Sequence, residues 1–176
     1  MTQELILVNE LDEQIGTGEK MKIHREGLLH RAFSVFVFNE NGQMLLQRRS
    51  LSKYHSGGLW TNTCCSHPAP GQDLEDAAGK RLFEEMGFNT PLTRVFDFIY
   101  RAGLGNGMTE HEFDHVFVGG YNGPVNYNTD EVMDYCYQTM DELKESIRFK
   151  PDVYTEWFKL AFPLVESWWL EHFKKD

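Results

Sequence analysis

An α+β fold, a mixed α/β sandwich in which helices flank a mixed β-sheet, is the class this chain predicts. Three observations predict it. β-rich runs come first along the chain, one well-signalled helix lies among them, and helical segments close the sequence.

Residues 4–8 read as a first strand. Residues 30–39 and the run Gln43 to Arg49, joined by Asn39-Glu40-Asn41-Gly42, predict a hairpin, because an Asn-Gly loop between two β-rich runs favours a tight reversal. β-branched and aromatic residues between turn formers mark further strands at 59–66, 92–101, 110–119 and 132–138. Helical period appears in residues 73–86, where Leu74, Ala77, Ala78, Leu82 and Met86 line one side, with Asp73 as N-cap and Gly87 as stop. Gly103-Leu104-Gly105-Asn106-Gly107 opens no helix, so it reads as a flexible loop and not as a nucleotide fingerprint. Thr139-Met140-Asp141-Glu142 is a capping box that opens a second helix through Ile147. Residues from Trp157 to Phe173 predict a third, bent or begun afresh at Pro163. The spacing of these elements contains no internal repeat.

With 176 residues, 41% of them hydrophobic, the chain is about the size at which one compact domain spanning 1–176 buries a sizeable core without staples. A net charge of -10 argues against nonspecific binding to nucleic acid or to an anionic membrane, both of which need clustered Lys and Arg. An anionic substrate must then meet a local basic pocket. Of three cysteines, Cys64 and Cys65 are adjacent, and adjacent side chains diverge in extended backbone, so no disulfide framework is expected. Residues 1–20 have no basic start followed by a long apolar run, and no stretch of about eighteen apolar residues suits a membrane span. A reducing cytoplasm fits this composition best.

Two strand-borne pairs carry the chemistry. Cys65 and His67 stand two apart just before Pro68, so in extended backbone both face one cleft. Glu110 and Glu112 flank His111 in the same way inside an alternating run that ends at Val118. A thiol and an imidazole on one side and two carboxylates on the other point to a metal site with a reactive cysteine beside it.

Several separated motifs, in order, carry a specific likeness: Leu28-Leu29-His30-Arg31-Ala32-Phe33-Ser34, Arg48-Arg49-Ser50-Leu51-Ser52-Lys53, Leu59-Trp60-Thr61-Asn62 continuing to Cys65-Ser66-His67-Pro68, Glu110-His111-Glu112, and Asp130-Glu131-Val132. Over nearly its whole length the chain resembles the type I isopentenyl diphosphate isomerases, members of the Nudix fold superfamily. The resemblance implies a Nudix-like mixed sheet and a small-molecule isoprenyl diphosphate as partner. It also implies reversible conversion of isopentenyl into dimethylallyl diphosphate by protonation and deprotonation through a tertiary carbocation. Cys65 and Glu112 fall on the family's two catalytic positions. Glu112 is expected as donor and Cys65 as acceptor, because a carboxylic acid is stronger than a thiol. Tyr100 would assist the acidic proton, and Trp157 would face the cation with its ring quadrupole.

By the same likeness, His24, His30, His67, Glu110 and Glu112 would bind one divalent ion, and their mixed nitrogen and oxygen set suits manganese, zinc or magnesium. Glu85 would hold a magnesium ion shared with the substrate diphosphate. Lys20, Arg49, Lys53, Ser66 and Arg81 fall on substrate-contacting positions. Arg48 alternates outward, so Arg49 is the member of that pair expected to reach the substrate.

Other residues are given plainer roles. Cys64 and Cys136 read as small buried hydrophobes. His55, His111, His115 and His172 read as satisfied polar or surface residues. Glu75, Asp76 and Glu84 read as a solvated helix face, and Asp130 and Glu131 as turn brackets. Trp168-Trp169 with Phe162, Leu164, Val165 and Phe173 read as core packing. Two further functions compete. A Nudix hydrolase of a nucleoside diphosphate derivative is one, since Leu82 to Phe88 keeps the end of that box, although Ser66, Gln72 and Lys80-Arg81 replace the Gly, Glu and Arg-Glu that hydrolysis needs. A noncatalytic domain closed around a structural metal is the other, and it would favour cysteine ligands.

Overall fold

The computed structural model describes residues 2–173, which form nine strands and four α-helices. The first strands, β1 (Glu4–Val8) and β2 (Gln14–Glu19), make an antiparallel hairpin that feeds the short helix α1 (Lys20–Glu26). Neither β2 nor α1 was anticipated. β2 contains Gly16 and Gly18, which blur a strand pattern, and seven residues are too few for helical periodicity to show. What starts α1 is the Glu19 side chain, whose two oxygens accept from the N–H groups of Met21 and Lys22.

The hub of the sheet is β3 (His30–Phe38), buried along nearly its whole length and paired in parallel with β8 (Met108–Gly120) from His30↔Glu112 to Phe38↔Gly120. The predicted hairpin between β3 and β4 (Met44–Arg49) exists, but it closes only at Val37↔Leu45 and Phe38↔Met44 before the strands part. Asn62 and Thr63 fill the opening. Asn62 Nδ2 donates to the carbonyls of Val35 (3.1 Å) and Cys64 (2.8 Å). Thr63 Oγ1 donates to that of Leu45 (2.7 Å) and accepts from Val37 N–H (2.9 Å). Side chains thus stand in for the missing ladder. For the same reason the strand expected at 59–66 is two pieces, β5 (Trp60–Thr61) on β4 and β6 (Cys64–Ser66) on β3. The far edge of β4 takes β9 (Val132–Gln138).

A long antiparallel ribbon joins β7 (Thr93–Gly105) to β8. The expected loop at 103–107 is instead a tight hairpin inside this ribbon, with Asn106 at φ 51° and Gly107 at φ 70°. Two consecutive positive φ values are what a two-residue reversal between twisted strands requires.

Helices cover both faces. On one, α2 (Leu74–Met86) packs Ala77, Ala78, Leu82 and Met86 against Val35, Val37, Leu45 and Phe117. On the other, α3 (Met140–Phe149) and α4 (Glu156–His172) cover Phe36, Phe38, Leu46 and Val116 with Leu143, Phe158, Phe162 and Val165. The sandwich and the capping box of α3 are as the sequence predicts. α4 differs: it runs unbroken through Pro163, which is exposed, and only the hydrogen bond that its missing N–H would give the Lys159 carbonyl is lost. Trp168 and Trp169 pack against the core as expected, whereas Leu164 and Phe173 are largely exposed.

Gly87 ends α2 at φ 74°, and a Cβ there would lie 2.0 Å from the Asn126 carbonyl oxygen. Gly87→Ala therefore combines left-handed strain with a backbone clash, and urea unfolding should show a loss of at least about 2 kcal/mol. A loss under about 0.5 kcal/mol would mean that the 126 segment retreats freely.

Candidate active site

One cleft gathers side chains from seven elements and two loops. β8 supplies Glu110 and Glu112, which continue on one strand face the row that Val116 and Val118 place in the core. β6 brings Cys65 and Ser66, with His67 just beyond its end. β7 adds Tyr100, α1 adds Lys20, α2 adds Arg81 and Glu85, and Trp157 closes the cleft from α4. Arg49 and Lys53 come from the end of β4 and the loop after it. Arg48 turns away, its Nε donating to the Gly58 carbonyl at 2.8 Å. Among the expected residues, His24 and His30 sit beneath this floor, wholly buried.

Three imidazoles and two carboxylates converge there. His24 Nδ1 lies 2.7 Å from the Lys20 carbonyl and His30 Nδ1 lies 2.9 Å from that of Leu28. Both rings therefore carry their proton on Nδ1 and aim an Nε2 lone pair at the cleft. His30 Nε2 is 3.2 Å from His67 Nε2, which is 3.0 Å from Glu112 Oε1. His24 Nε2 is 3.2 Å from Glu110 Oε2, yet neither of these two buried atoms has a hydrogen-bond partner. One ligand atom each from His24, His30, His67 and Glu110 fits within 4.8 Å of the others. Lone pairs and carboxylates pointing at one spot repel unless a cation lies between them, so the donor set fits a divalent metal ion. Burial, aided by the nearby Lys20 ammonium, pushes His67 well below the usual imidazole value, leaving it neutral as ligation requires.

The acid and the thiol occupy the same cleft. Tyr100 Oη donates to Glu112 Oε2 at 2.7 Å. Burial works to raise the Glu112 pKa, but the polar groups around its carboxylate, His30 first and Tyr100 after it, outweigh burial and hold the carboxyl below its ordinary value. Burial pushes the Cys65 thiol well up, against the opposing pull of Arg49. The Arg49 guanidinium lies 5.1 Å from the Trp157 ring centre, so that ring already faces one cation. Glu85 is buried, Oε1 ion-paired with Arg81 Nε at 2.7 Å outside hydrogen-bond geometry and Oε2 accepting from Gln47 Nε2 at 2.7 Å. Each oxygen keeps a further lone pair with which it could meet an ion.

Some plain readings change. His55 is no surface residue: it lines the cleft, its ring set edge-on to Trp157 at 90° and 5.7 Å, with Nε2 3.7 Å from Glu110 Oε1. Burial, with Arg49 close by, holds it down at about 4, hence uncharged at neutral pH. Tyr54 beside it faces the Lys20 ammonium at 5.4 Å. The available signal was position, since Tyr54 and His55 directly follow the basic motif ending at Lys53. Glu131 does more than bracket a turn, for its Oε2 meets both Lys53 and Arg81. His111 and His172 are satisfied by the Gly27 and Trp168 carbonyls, whereas His115 meets Arg94 Nη1 at 3.4 Å through Nδ1, and its buried Nε2, 2.9 Å from Asp12 Oδ2, has no hydrogen-bond partner. Cys64 is buried as expected, while Cys136 is only partly so.

The sequence profile of the NUDIX domain family matches residues 28–158. The chain is 49% identical over 173 residues to isopentenyl-diphosphate Delta-isomerase 2 of Photorhabdus laumondii, covering 96% of this chain and 98% of that protein. It is 46% identical to isopentenyl-diphosphate Delta-isomerase of Pectobacterium atrosepticum, covering 98% and 96%. Its fold is similar to that of DR0079 from Deinococcus radiodurans, with a TM-score of 0.71 at 19% identity over 84% of this chain and 90% of that one.

Proposed function

This chain belongs to the NUDIX family and, within it, to the isopentenyl-diphosphate Delta-isomerases, and from that membership we propose how its own residues carry the reaction. It is an isomerase that interconverts isopentenyl and dimethylallyl diphosphate. The observation that supports the residue assignment is the meeting of Cys65, Glu112, Tyr100 and Trp157 in one cleft whose rim is basic.

Lys20, Arg49, Lys53 and Arg81, with Ser66, bind the diphosphate and seat the five-carbon chain between sulfur and carboxyl. Glu112 protonates the terminal alkene carbon, aided by the Tyr100 hydroxyl bonded to it. Trp157 faces the tertiary cation with a ring that cannot trap it, at about 2 kcal/mol or more of stabilisation when desolvated. Cys65, as thiolate, removes a proton from the other side of the cation, and the double bond moves. The proton count then leaves a thiol and a carboxylate, the distribution that burial of Cys65 and the partners of Glu112 also favour. A proton must pass from sulfur back to carboxyl before the next forward turnover, while the reverse reaction starts from this form directly.

His24, His30, His67, Glu110 and Glu112 would hold one divalent ion, manganese, zinc or magnesium, whose charge would fix and polarise the Glu112 carboxyl. Glu85 would share a magnesium ion with the diphosphate. We further assign the chain one domain over 1–176 and a place in the cytoplasm. No helix among the described residues is long and apolar enough to cross a membrane. Incubation with isopentenyl diphosphate in heavy water tests the reading. Deuterium in the allylic product is expected, whereas released phosphate without such product would mean hydrolysis.

A further inference from the structure

Two of the cations read as diphosphate ligands share one anion that stands behind them. Lys53 and Arg81 line the cleft, but Glu131 does not. Its Oε2 nonetheless accepts from Lys53 Nζ and, at 2.9 Å, from Arg81 Nη2. An ammonium has three donors and a guanidinium five, so each keeps donors free for the cleft after meeting Glu131. Arg81 is also ion-paired with Glu85, Nε to Oε1 at 2.7 Å, and reaches Glu84 Oε2 with Nη1 at 3.4 Å, so carboxylates hold it from three sides.

The backbone around Glu131 is tied to the same two elements. Its N–H donates to the Asn128 carbonyl at 3.0 Å, its carbonyl accepts from Ser50 N–H at 3.0 Å, and Asn128 N–H donates to the Glu85 carbonyl at 2.9 Å. The turn at 128–131 is therefore anchored both to the end of α2, which carries Arg81 and Glu85, and to the loop that carries Lys53. Two long cationic side chains brought close together repel and turn to water unless an anion between them holds both.

We propose that Glu131 is a positioning residue for diphosphate recognition, acting through Lys53 and Arg81 to aim both at the cleft without touching substrate. This rests on the reading of Lys53 and Arg81 as diphosphate-binding residues.

The test uses inorganic pyrophosphate with magnesium as probe, titrated calorimetrically into the full chain, beside steady-state kinetics. Lys53→Met and Arg81→Met come first, each expected to weaken pyrophosphate binding by about tenfold or more. Glu131→Gln should then weaken it by about tenfold and raise KM alike, with kcat changed less than about twofold. Glu131→Asp, which keeps the charge on a shorter stem, should recover part of the loss. In a Lys53→Met background Glu131→Gln should cost much less than it does alone, because the two act as one unit. If Lys53→Met and Arg81→Met leave binding unchanged, the reading of the cations fails, and this inference with it. If they weaken binding but Glu131→Gln leaves it unchanged or tightens it, Glu131 is a bystander or a competitor for the cations, and the inference alone is overturned. Should Glu131→Gln not fold, Glu131→Ala, which also removes the charge, decides by the same criterion.

Discussion

Cys65→Ala should lower kcat by about 10⁴-fold while leaving pyrophosphate affinity and thermal stability nearly unchanged. The sulfur lines the cleft, and no other thiol does among the described residues: Cys64 is turned into the core beneath α2, and Cys136 lies on β9. The histidines of the cleft floor aim their lone pairs at one another and at the carboxylates, and His55 in the cleft wall, held down at about 4, is a weak base, so none should replace the thiolate. Stability should fall by no more than about 1 kcal/mol, because the exchange removes one partly exposed atom and leaves the β6 pairing with Ser34 in place. Turnover within tenfold of the parent would remove Cys65 from the mechanism.

Glu112→Gln should fail twice, in rate and in metal retention. Its carboxylate lies 3.0 Å from His67 Nε2 and 3.6 Å from His30 Nε2 on one oxygen, and accepts from Tyr100 on the other. An amide of the same shape has no proton to give to an alkene, so kcat should drop by about 10³-fold or more. It also removes a negative charge from a site with three imidazoles, and affinity for manganese or zinc should fall by about 10-fold to 100-fold. Equilibrium dialysis at fixed metal and a steady-state assay read the two losses separately. Full metal with lost turnover would make Glu112 an acid alone, and full turnover would end the donor assignment.

How much of this was legible in the sequence varied with the kind of signal. α2 was plain because Asp73, Gly87 and an apolar face all agree on its limits. The face of β8 was plain as well, since alternation by two carries Glu110 and Glu112 to one side. α1 was not, because a seven-residue helix capped by a glutamate offers neither period nor a usual cap, and so His24 was placed by likeness alone. The break at Asn62 and Thr63 was hidden for a different reason. It follows from side chains that serve the backbones of β3 and β4, strands distant in sequence. His55 escaped notice because a lone histidine in a glycine- and serine-rich loop has no periodicity to interpret. Its meaning lies in Trp157, about a hundred residues away in sequence.

The face of β8 that begins with Glu110 and Glu112 and ends with Val116 and Val118 binds the chemistry to the architecture. Were this strand to slide one place along β3, His111 and Phe113 would rotate inward and both acids would swing away, while the hydrophobic half would lose its burial in the same movement. An insertion or deletion between 110 and 118 thus has no mild form: whatever silences the enzyme by that route also unfolds it.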